Sequence, residues 1–335
     1  MKSLPQLVLL FLAMLSHVTA AIGEPIKLKL AYFSSDRSTT YLACIKPFVD
    51  AVNAEAAGIE IDVSLSGALG KNPTQQLQLV LDGTADIAFI VPGYTPERFL
   101  DNLVVELPGM FRNIREATLV YTRLLAGGAL RGYEDVVVVG AFATEPETVH
   151  ARSPVVSLDD LKGKRIRANN ISQAAALENL GAIAVQMPIN QASSGLSSGK
   201  IDGATVSPAP LVEFGISRLA AYHYLLGIGA APLAVIMNRK KFESLPRPSQ
   251  DVIRKFGGEW TAEHYIAMYG AENERALERL RSEPNRTLTI PSEADLRLAR
   301  TAFSAVIEKW LADHPRNREL LTKADTEIAR IRSGS

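Results

Sequence analysis

Strand and helix patterns alternate along this chain at a spacing that predicts an α/β protein of two lobes, each a sheet layered with helices. Three observations carry that prediction. Short apolar runs bounded by glycine, proline or asparagine recur between amphipathic stretches. The length of 335 residues exceeds what a single hydrophobic core usually serves. At 47% hydrophobic and 21% charged, the composition is that of ordinary globular material.

The N-terminus reads as an address. Lys2 supplies a positive start, residues 7–15 an apolar run, and Val18-Thr19-Ala20 a small-residue cleavage site, so residues 1–20 are expected to be a signal peptide cut after Ala20. The apolar run is too short to span a bilayer, and no later run approaches the roughly 20 apolar residues of a membrane helix. The sole cysteine, Cys44, lies well past the cleavage site, which excludes a lipid anchor there and an internal disulfide; it reads as a buried small apolar residue. A bacterial periplasm fits all of this.

The elements follow in order. Residues 26–33 predict a strand, and the next segment sets Leu42, Ile45, Val49 and Val52 on one helical face. Ile59, Ile61, Val63 and Leu65 alternate with polar residues, which is strand periodicity. Asn72-Pro73 opens a helix that Gly83 ends, and residues 85–91 form a buried strand. Residues 136–142 are a strand, Ser157 caps a short helical turn, and residues 164–168 are a strand. Ser172 opens a helix closed by Gly181; after a further strand, Asn190 caps a helix ending at Gly199, before a strand at 201–206. Residues 233–237 make one more buried strand. From Pro248 onward nearly everything is helical, with long runs through Trp260 and Leu280 and over residues 292–311. The layout is two α/β lobes with mostly parallel sheets, joined by short crossovers and braced by the late helices. Residues 21–146 with about 234–262 are expected in lobe I, and residues 147–233 with about 263–335 in lobe II.

Charge narrows the partners. Lys plus Arg and Asp plus Glu number 36 each; loss of Lys2 leaves 35 against 36, a net charge near −1 that gives no electrostatic reason to bind nucleic acid or an anionic membrane. Gly195-Leu196-Ser197-Ser198-Gly199 spells the G-x-S-x-G of a nucleophile elbow, with His150, His223 and Asp202 as nominal partners. That elbow must follow a strand and open a helix, whereas Ser197 ends a helix before a strand, so no enzyme is expected. The 5 histidines are scattered without metal-ligand spacing, and there is no Walker loop or dinucleotide fingerprint. No metal or other cofactor is therefore expected.

Several segments then match in order: LSGALG at 65–70, LVLDGTADIAF at 79–89, ELPGMFRN at 106–113, SLDDLKGKRIR at 157–167, SSGKIDGA at 197–204 and MNRKKFESLP at 237–246. Through them the chain resembles the DctP-type substrate-binding proteins of tripartite ATP-independent periplasmic (TRAP) transporters, which include binders of C4-dicarboxylates and sialic acid. The resemblance covers about Lys27 to the last helix. It implies a bilobed periplasmic binding protein fold, type II-like with a hinge, that closes on one small organic acid and delivers it to TRAP membrane permease subunits. A trap serving a signalling receptor would use the same fold and is the alternative.

The resemblance also implies site residues. The arginine ending the matched motif, here Arg167, forms a bidentate salt bridge with the ligand carboxylate in the family; a guanidinium suits that role because its parallel donors fit a carboxylate and it stays charged when water is excluded. By composition alone Arg167 reads as a surface arginine on an edge strand, a description that fits Lys164 and Arg165 better. Asn170 matches a family ligand contact, and equally reads as a helix cap. Phe33 and Val91 stand where sialic acid binders carry polar and acidic residues, so two hydroxyl-reading positions are apolar; each also reads as lobe core. Tyr94 lies in a loop after a strand end, where α/β ligands bind, or packs at the hinge. Ile189 matches an apolar ligand contact. The family's second carboxylate donor is replaced by DGATVS at 202–207, with Ser207 supplying a donor if the loop shifts by one residue. Glu147 falls near an arginine of the sialic acid binders and would repel a second acidic group. The expected ligand is an apolar monocarboxylate, aromatic or branched.

Overall fold

The computed structural model describes residues 24–334. The expected signal peptide, residues 1–20 with its cleavage site after Ala20, lies outside the described residues.

In chain order the strands are β1 (Ile26–Ala31), β2 (Ile59–Ser64), β3 (Ile87–Ile90) and β4 (Val136–Ala143), then β5 (Glu147–Ala151), β6 (Arg165–Ala168), β7 (Ile183–Gln186), β8 (Gly203–Val206) and β9 (Tyr222–Gly229), and finally β10 (Pro232–Asn238) and β11 (Thr287–Thr289). They form two sheets, ordered β2-β1-β3-β10-β4 and β11-β9-β5-β8-β6-β7. The sheets are mixed: most strands run parallel, as expected, but each sheet holds one antiparallel strand. The physical reason is the way the chain changes lobe. β10 runs antiparallel to β3 and β4, and β5 antiparallel to β8 and β9, while the other pairings are parallel. Each odd strand is the one by which the chain arrives from the other lobe: β4 leads straight into β5, and β9 into β10. All remaining strands therefore point their carboxyl ends at the junction of the lobes, the place where open α/β sheets take ligands. At that junction the two crossovers hold each other, Thr144 N donating to Ala231 O (3.0 Å) and Ala231 N to Thr144 Oγ1 (2.9 Å).

The helices are α1 (Lys46–Ala54), α2 (Gln76–Leu81), α3 (Leu103–Glu106), α4 (Ile114–Ala126), α5 (Ile171–Asn179), α6 (Ala192–Ser197), α7 (Pro208–Glu213), α8 (Arg239–Ser244), α9 (Arg247–Lys255), α10 (Glu259–Ser282), α11 (Glu293–Asp313) and α12 (Pro315–Arg332). Several ends are set by the expected local chemistry. Asn72 Oδ1 accepts from Thr74 N ahead of Pro73, Gly83 takes φ +79°, and Ser157 with Asp160 closes a capping box. Three expectations are corrected. A wide π-type turn over Tyr41–Ile45 precedes α1 and shifts the helical phase, so Leu42 is exposed while Ala43, Cys44 and Ile45 are buried. Asn190 sits inside the short turn Ile189–Gln191 and caps nothing; α6 begins after it. The helix expected to open at Ser172 is α5, which starts one residue earlier behind Asn170.

The late helices tie the lobes together. Early in α10, Tyr265 and Tyr269 enter the core beneath the first sheet with Phe48, Phe89 and Phe142, whereas Leu280 near its end joins Leu196, Ile201 and Leu211 beneath the second. A helix of that length spans about 36 Å. Likewise α11 gives Phe303 and Val306 to the second lobe and Trp310 to the first, and α12 packs Leu320, Ala324 and Ile328 into the first. The chain thus shares residues beyond 262 between both lobes. Among the described residues, no helix is long and apolar enough to cross a membrane.

Candidate ligand-binding cleft

The carboxyl ends of the two sheets bound a cleft between the lobes. Lobe I contributes Phe33 after β1, Val91 and Tyr94 after β3, and Thr144 after β4; lobe II contributes Glu147, Arg167, Asn169 and Ile189.

Arg167 is 1% exposed. It lies on β6, an interior strand between β8 and β7, not on an edge. Arg165, two residues earlier, is spent on a two-pronged pair with Asp202 (3.0 and 2.8 Å), and Lys164 Nζ donates to Ser153 Oγ (3.0 Å). The Arg167 guanidinium is held by neutral acceptors: Nε donates to Met187 O (3.0 Å), Nη1 to Thr205 O (2.8 Å) and Nη2 to Asn169 Oδ1 (2.7 Å). A longer contact runs from Nη2 to the Tyr94 hydroxyl (3.4 Å). Of five N–H donors, one Nη1 proton and that long Tyr94 contact remain to meet a ligand. A fixed, desolvated cation with uncommitted donors has the chemistry to receive a carboxylate.

Around it runs a buried polar network. Gln173 on α5 accepts from Asn169 N (3.0 Å) and donates through Nε2 to Glu147 Oε2 (2.9 Å) and Gly229 O (3.1 Å). The Thr205 hydroxyl bonds to Arg167 O (2.9 Å) and lies 2.8 Å from Gln173 Oε1. Glu147, 3% exposed, stands at an irregularity in the β5–β9 pairing, with Oε2 3.9 Å from Arg167 Nη1. Burial pushes its carboxyl up to about 7, while Arg167 and the Gln173 hydrogen bond pull downward. Glu106 at the end of α3 is 2% exposed, and burial together with Glu147 pushes it up to about 8. Glu106 has room because of Gly93: a Cβ there would stand 3.0 Å from Glu106 Oε1 and 3.1 Å from Asn170 Cβ.

The opposite wall is aromatic. Phe33 stacks on Tyr32 with centroids 5.8 Å apart and meets Phe89 at 5.7 Å; Tyr32 and Phe89 pack edge to face at 5.4 Å. Leu233, Val206, Phe214 and Tyr269 complete the apolar lining. Val91 both lines the cleft and belongs to the lobe I core, so the two descriptions open to it are both met. Tyr94 joins the lobes: its hydroxyl accepts from Ile189 N (2.9 Å) across the cleft.

Two expected contacts fall elsewhere. Asn170 is the N-cap of α5, its Oδ1 accepting from Gln173 N (2.8 Å), and it does not line the cleft; Asn169 does. Side chains alternate along an extended segment, so Arg167 and Asn169 share a face and Asn170 takes the other. Ser207 is fully buried beneath the lining with its side chain beside the Tyr269 hydroxyl, and Val206 reaches the cleft in its place. Gln173, Thr205, Glu106 and Thr144 were not foreseen. The parity of residues 165–169 could have pointed to Asn169; the others are placed only by tertiary contact.

The nominal hydrolase set is not assembled. Ser197 ends α6 and its Oγ donates to Ser194 O (3.1 Å), while His150 and His223 face each other across β5 and β9 with Nδ1 atoms 2.8 Å apart. Among the described residues, no group of three or more His, Cys, Asp or Glu is placed to hold a metal ion.

Comparison with known proteins places this geometry. A solute-binding protein of TRAP type from a marine metagenome, specific for aromatic acid ligands and solved with metahydroxyphenylacetate, is 26% identical with a TM-score of 0.84, covering 91% of this chain and 99% of its own. A TRAP solute-binding protein from Rhodoferax ferrireducens with copurified benzoate is 25% identical, TM-score 0.82, covering 91% and 98%. The outer membrane transporter protein TsaT of Comamonas testosteroni is 24% identical over 281 residues, 80% of each chain. The family model of bacterial extracellular solute-binding protein, family 7, matches residues 30–313, and the chain belongs to that DctP family.

Proposed function

We propose that this protein is the periplasmic solute-binding component of a TRAP transporter, exported with cleavage near Ala20, that captures an aromatic or similarly apolar monocarboxylate between its lobes and delivers it to the membrane permease. The observation that carries the proposal is a single desolvated guanidinium, Arg167, facing a cleft whose other wall is built from Phe33, Tyr32 and Phe89. Arg167 takes the carboxylate, Asn169 and Tyr94 orient the guanidinium, and the ring of the ligand lies against the aromatic wall with Val91 and Ile189 beside it. Glu147 next to Arg167 disfavours a second acidic group. The ligands of the two solved relatives, metahydroxyphenylacetate and benzoate, are of the proposed class. The protein acts by binding, with no turnover.

The test is a thermal-shift screen of the mature protein against aromatic, branched-chain keto, dicarboxylic and sugar acids, because a ligand that binds only the folded form raises the midpoint by mass action. A shift confined to apolar monocarboxylates is expected. A shift with dicarboxylates or sugar acids instead would overturn the ligand class.

A further inference from the structure

Resting on the capture of a carboxylate by Arg167, we infer that Glu147 is a proton-binding member of the same site: the ligand anion enters together with one proton, which Glu147 takes up from solvent and then shares as a hydrogen bond with the bound carboxylate.

The geometry leads there in three steps. Arg167 and Glu147 are both buried, and at 3.9 Å they are charge partners without a hydrogen bond between them. The guanidinium is bonded to the uncharged acceptors Met187 O, Thr205 O and Asn169 Oδ1, and among the described residues the Glu147 carboxyl receives only the Gln173 amide. Without a ligand the cleft therefore holds one cation, Arg167, against the carboxyls of Glu147 and, at the rim, Glu213. A ligand carboxylate bound to Arg167 adds an uncompensated negative charge in a dry site, within the roughly 4–6 Å at which a like charge raises a carboxyl pKa by one or more units. Among the described residues, the remaining charged or titratable groups about the cleft offer no second cation: Glu106 from α3, Tyr94 from the turn after β3, Glu213 from α7, and Tyr265 and Tyr269 from α10. Glu106 offers no relief either: Glu147 pushes its carboxyl up, and its Oε2 is buried without a hydrogen-bond partner among the described residues. Since burial already sets the free Glu147 carboxyl near neutrality, protonation is the least costly way to restore charge balance. One anion and one proton in leave the net charge of the cleft unchanged, and Glu147 changes from a repelling group to a donor.

The experiment is titration calorimetry of the full-length mature protein with benzoate and 3-hydroxybenzoate, from pH 6 to 9, in paired buffers of different ionisation heat. The expected result is uptake approaching one proton per ligand at pH 8, with Kd rising roughly tenfold per pH unit above neutrality. Glu147→Gln, whose amide stands in for the protonated carboxyl, is expected to show no uptake and a Kd that no longer changes with pH. Should that variant not fold, isotope-edited infrared spectroscopy of the wild type reads the same event as a protonated carboxyl band gained on ligand addition at pH 8. Binding without proton uptake overturns the inference while leaving carboxylate capture intact. Uptake that persists in Glu147→Gln overturns the assignment to Glu147. No binding of either probe at any pH removes the capture proposal and this inference with it.

Discussion

Arg167 is preorganised by its neighbours: its donors are tied to two backbone carbonyls and to Asn169, so little side-chain freedom remains to be lost when a ligand arrives. Arg167→Lys leaves those acceptors unpaired and removes the planar fork. We expect affinity for an aromatic carboxylate to fall at least about 100-fold, about 2.7 kcal/mol, by calorimetry; a loss under tenfold would place the anchor elsewhere. On the other wall, Phe33→Asn removes one ring of the Tyr32, Phe33 and Phe89 cluster, and should weaken aromatic acids more than branched-chain acids. Equal loss across both classes would count against the ring as lining. At this scale the sequence was informative where a residue's neighbours along the chain decide its role. Arg167 was legible because it ends a matched motif, whereas Asn169 was missed in favour of Asn170 because the choice depends on strand parity at the end of β6, where the segment stops at Ala168 and α5 begins at Ile171.

The elements separate two roles that the sequence left merged. Asn170 caps α5, so Asn170→Ala should cost about 1 kcal/mol of stability with little change in ligand affinity. A larger loss in affinity than in stability would return Asn170 to the ligand. The turn Pro92–Tyr94 does the opposite: it carries a lobe I side chain across to the Ile189 amide, in the turn after β7, and to Arg167. Tyr94→Phe deletes that hydroxyl while keeping the ring. Affinity is expected to fall roughly three- to tenfold, as one hydrogen bond between the lobes contributes about 0.5–1.5 kcal/mol, with the unfolding midpoint of the free protein little changed. A parallel contact lies at the cleft rim, where Glu213 at the end of α7 accepts from Thr39 N (3.0 Å) and Ser34 Oγ (3.4 Å). Both contacts join residues far apart in sequence, which is why neither was visible in it.

Across the whole molecule, buried titratable groups set how stability follows pH. Burial and His223 hold His150 down to about 3, and burial with Arg286 holds His223 down to about 4. Below about 6.5 the unfolded chain binds more protons than the folded one, so these histidines lower stability as pH falls from there towards 4. Glu147 and Glu106 act in the other direction, since their folded values of about 7 and 8 lie above the ordinary 4.5. There the folded chain binds more protons, and stability falls as pH rises from about 4.5 through 8. The unfolding midpoint should therefore be highest on the mildly acidic side of neutrality. Glu106→Gln should flatten the alkaline limb and raise the midpoint at pH 8 by a few degrees, a shift of about 1 kcal/mol or more. An unchanged alkaline limb would mean that Glu106 does not carry that dependence.

The sequence by itself determined the α/β class, most elements and the family, and singled out Arg167, because periodicity, caps and motif segments are local properties that survive without the fold. Only the tertiary structure decided the mixed strand directions, the sharing of α10 and α11 between lobes, and the meeting of Arg167, Gln173, Glu147 and Glu106 in one buried network. Those depend on where the chain crosses between the lobes and on which groups are shut away from water together, and burial, which sets the charge state of Glu147, belongs to the folded molecule alone.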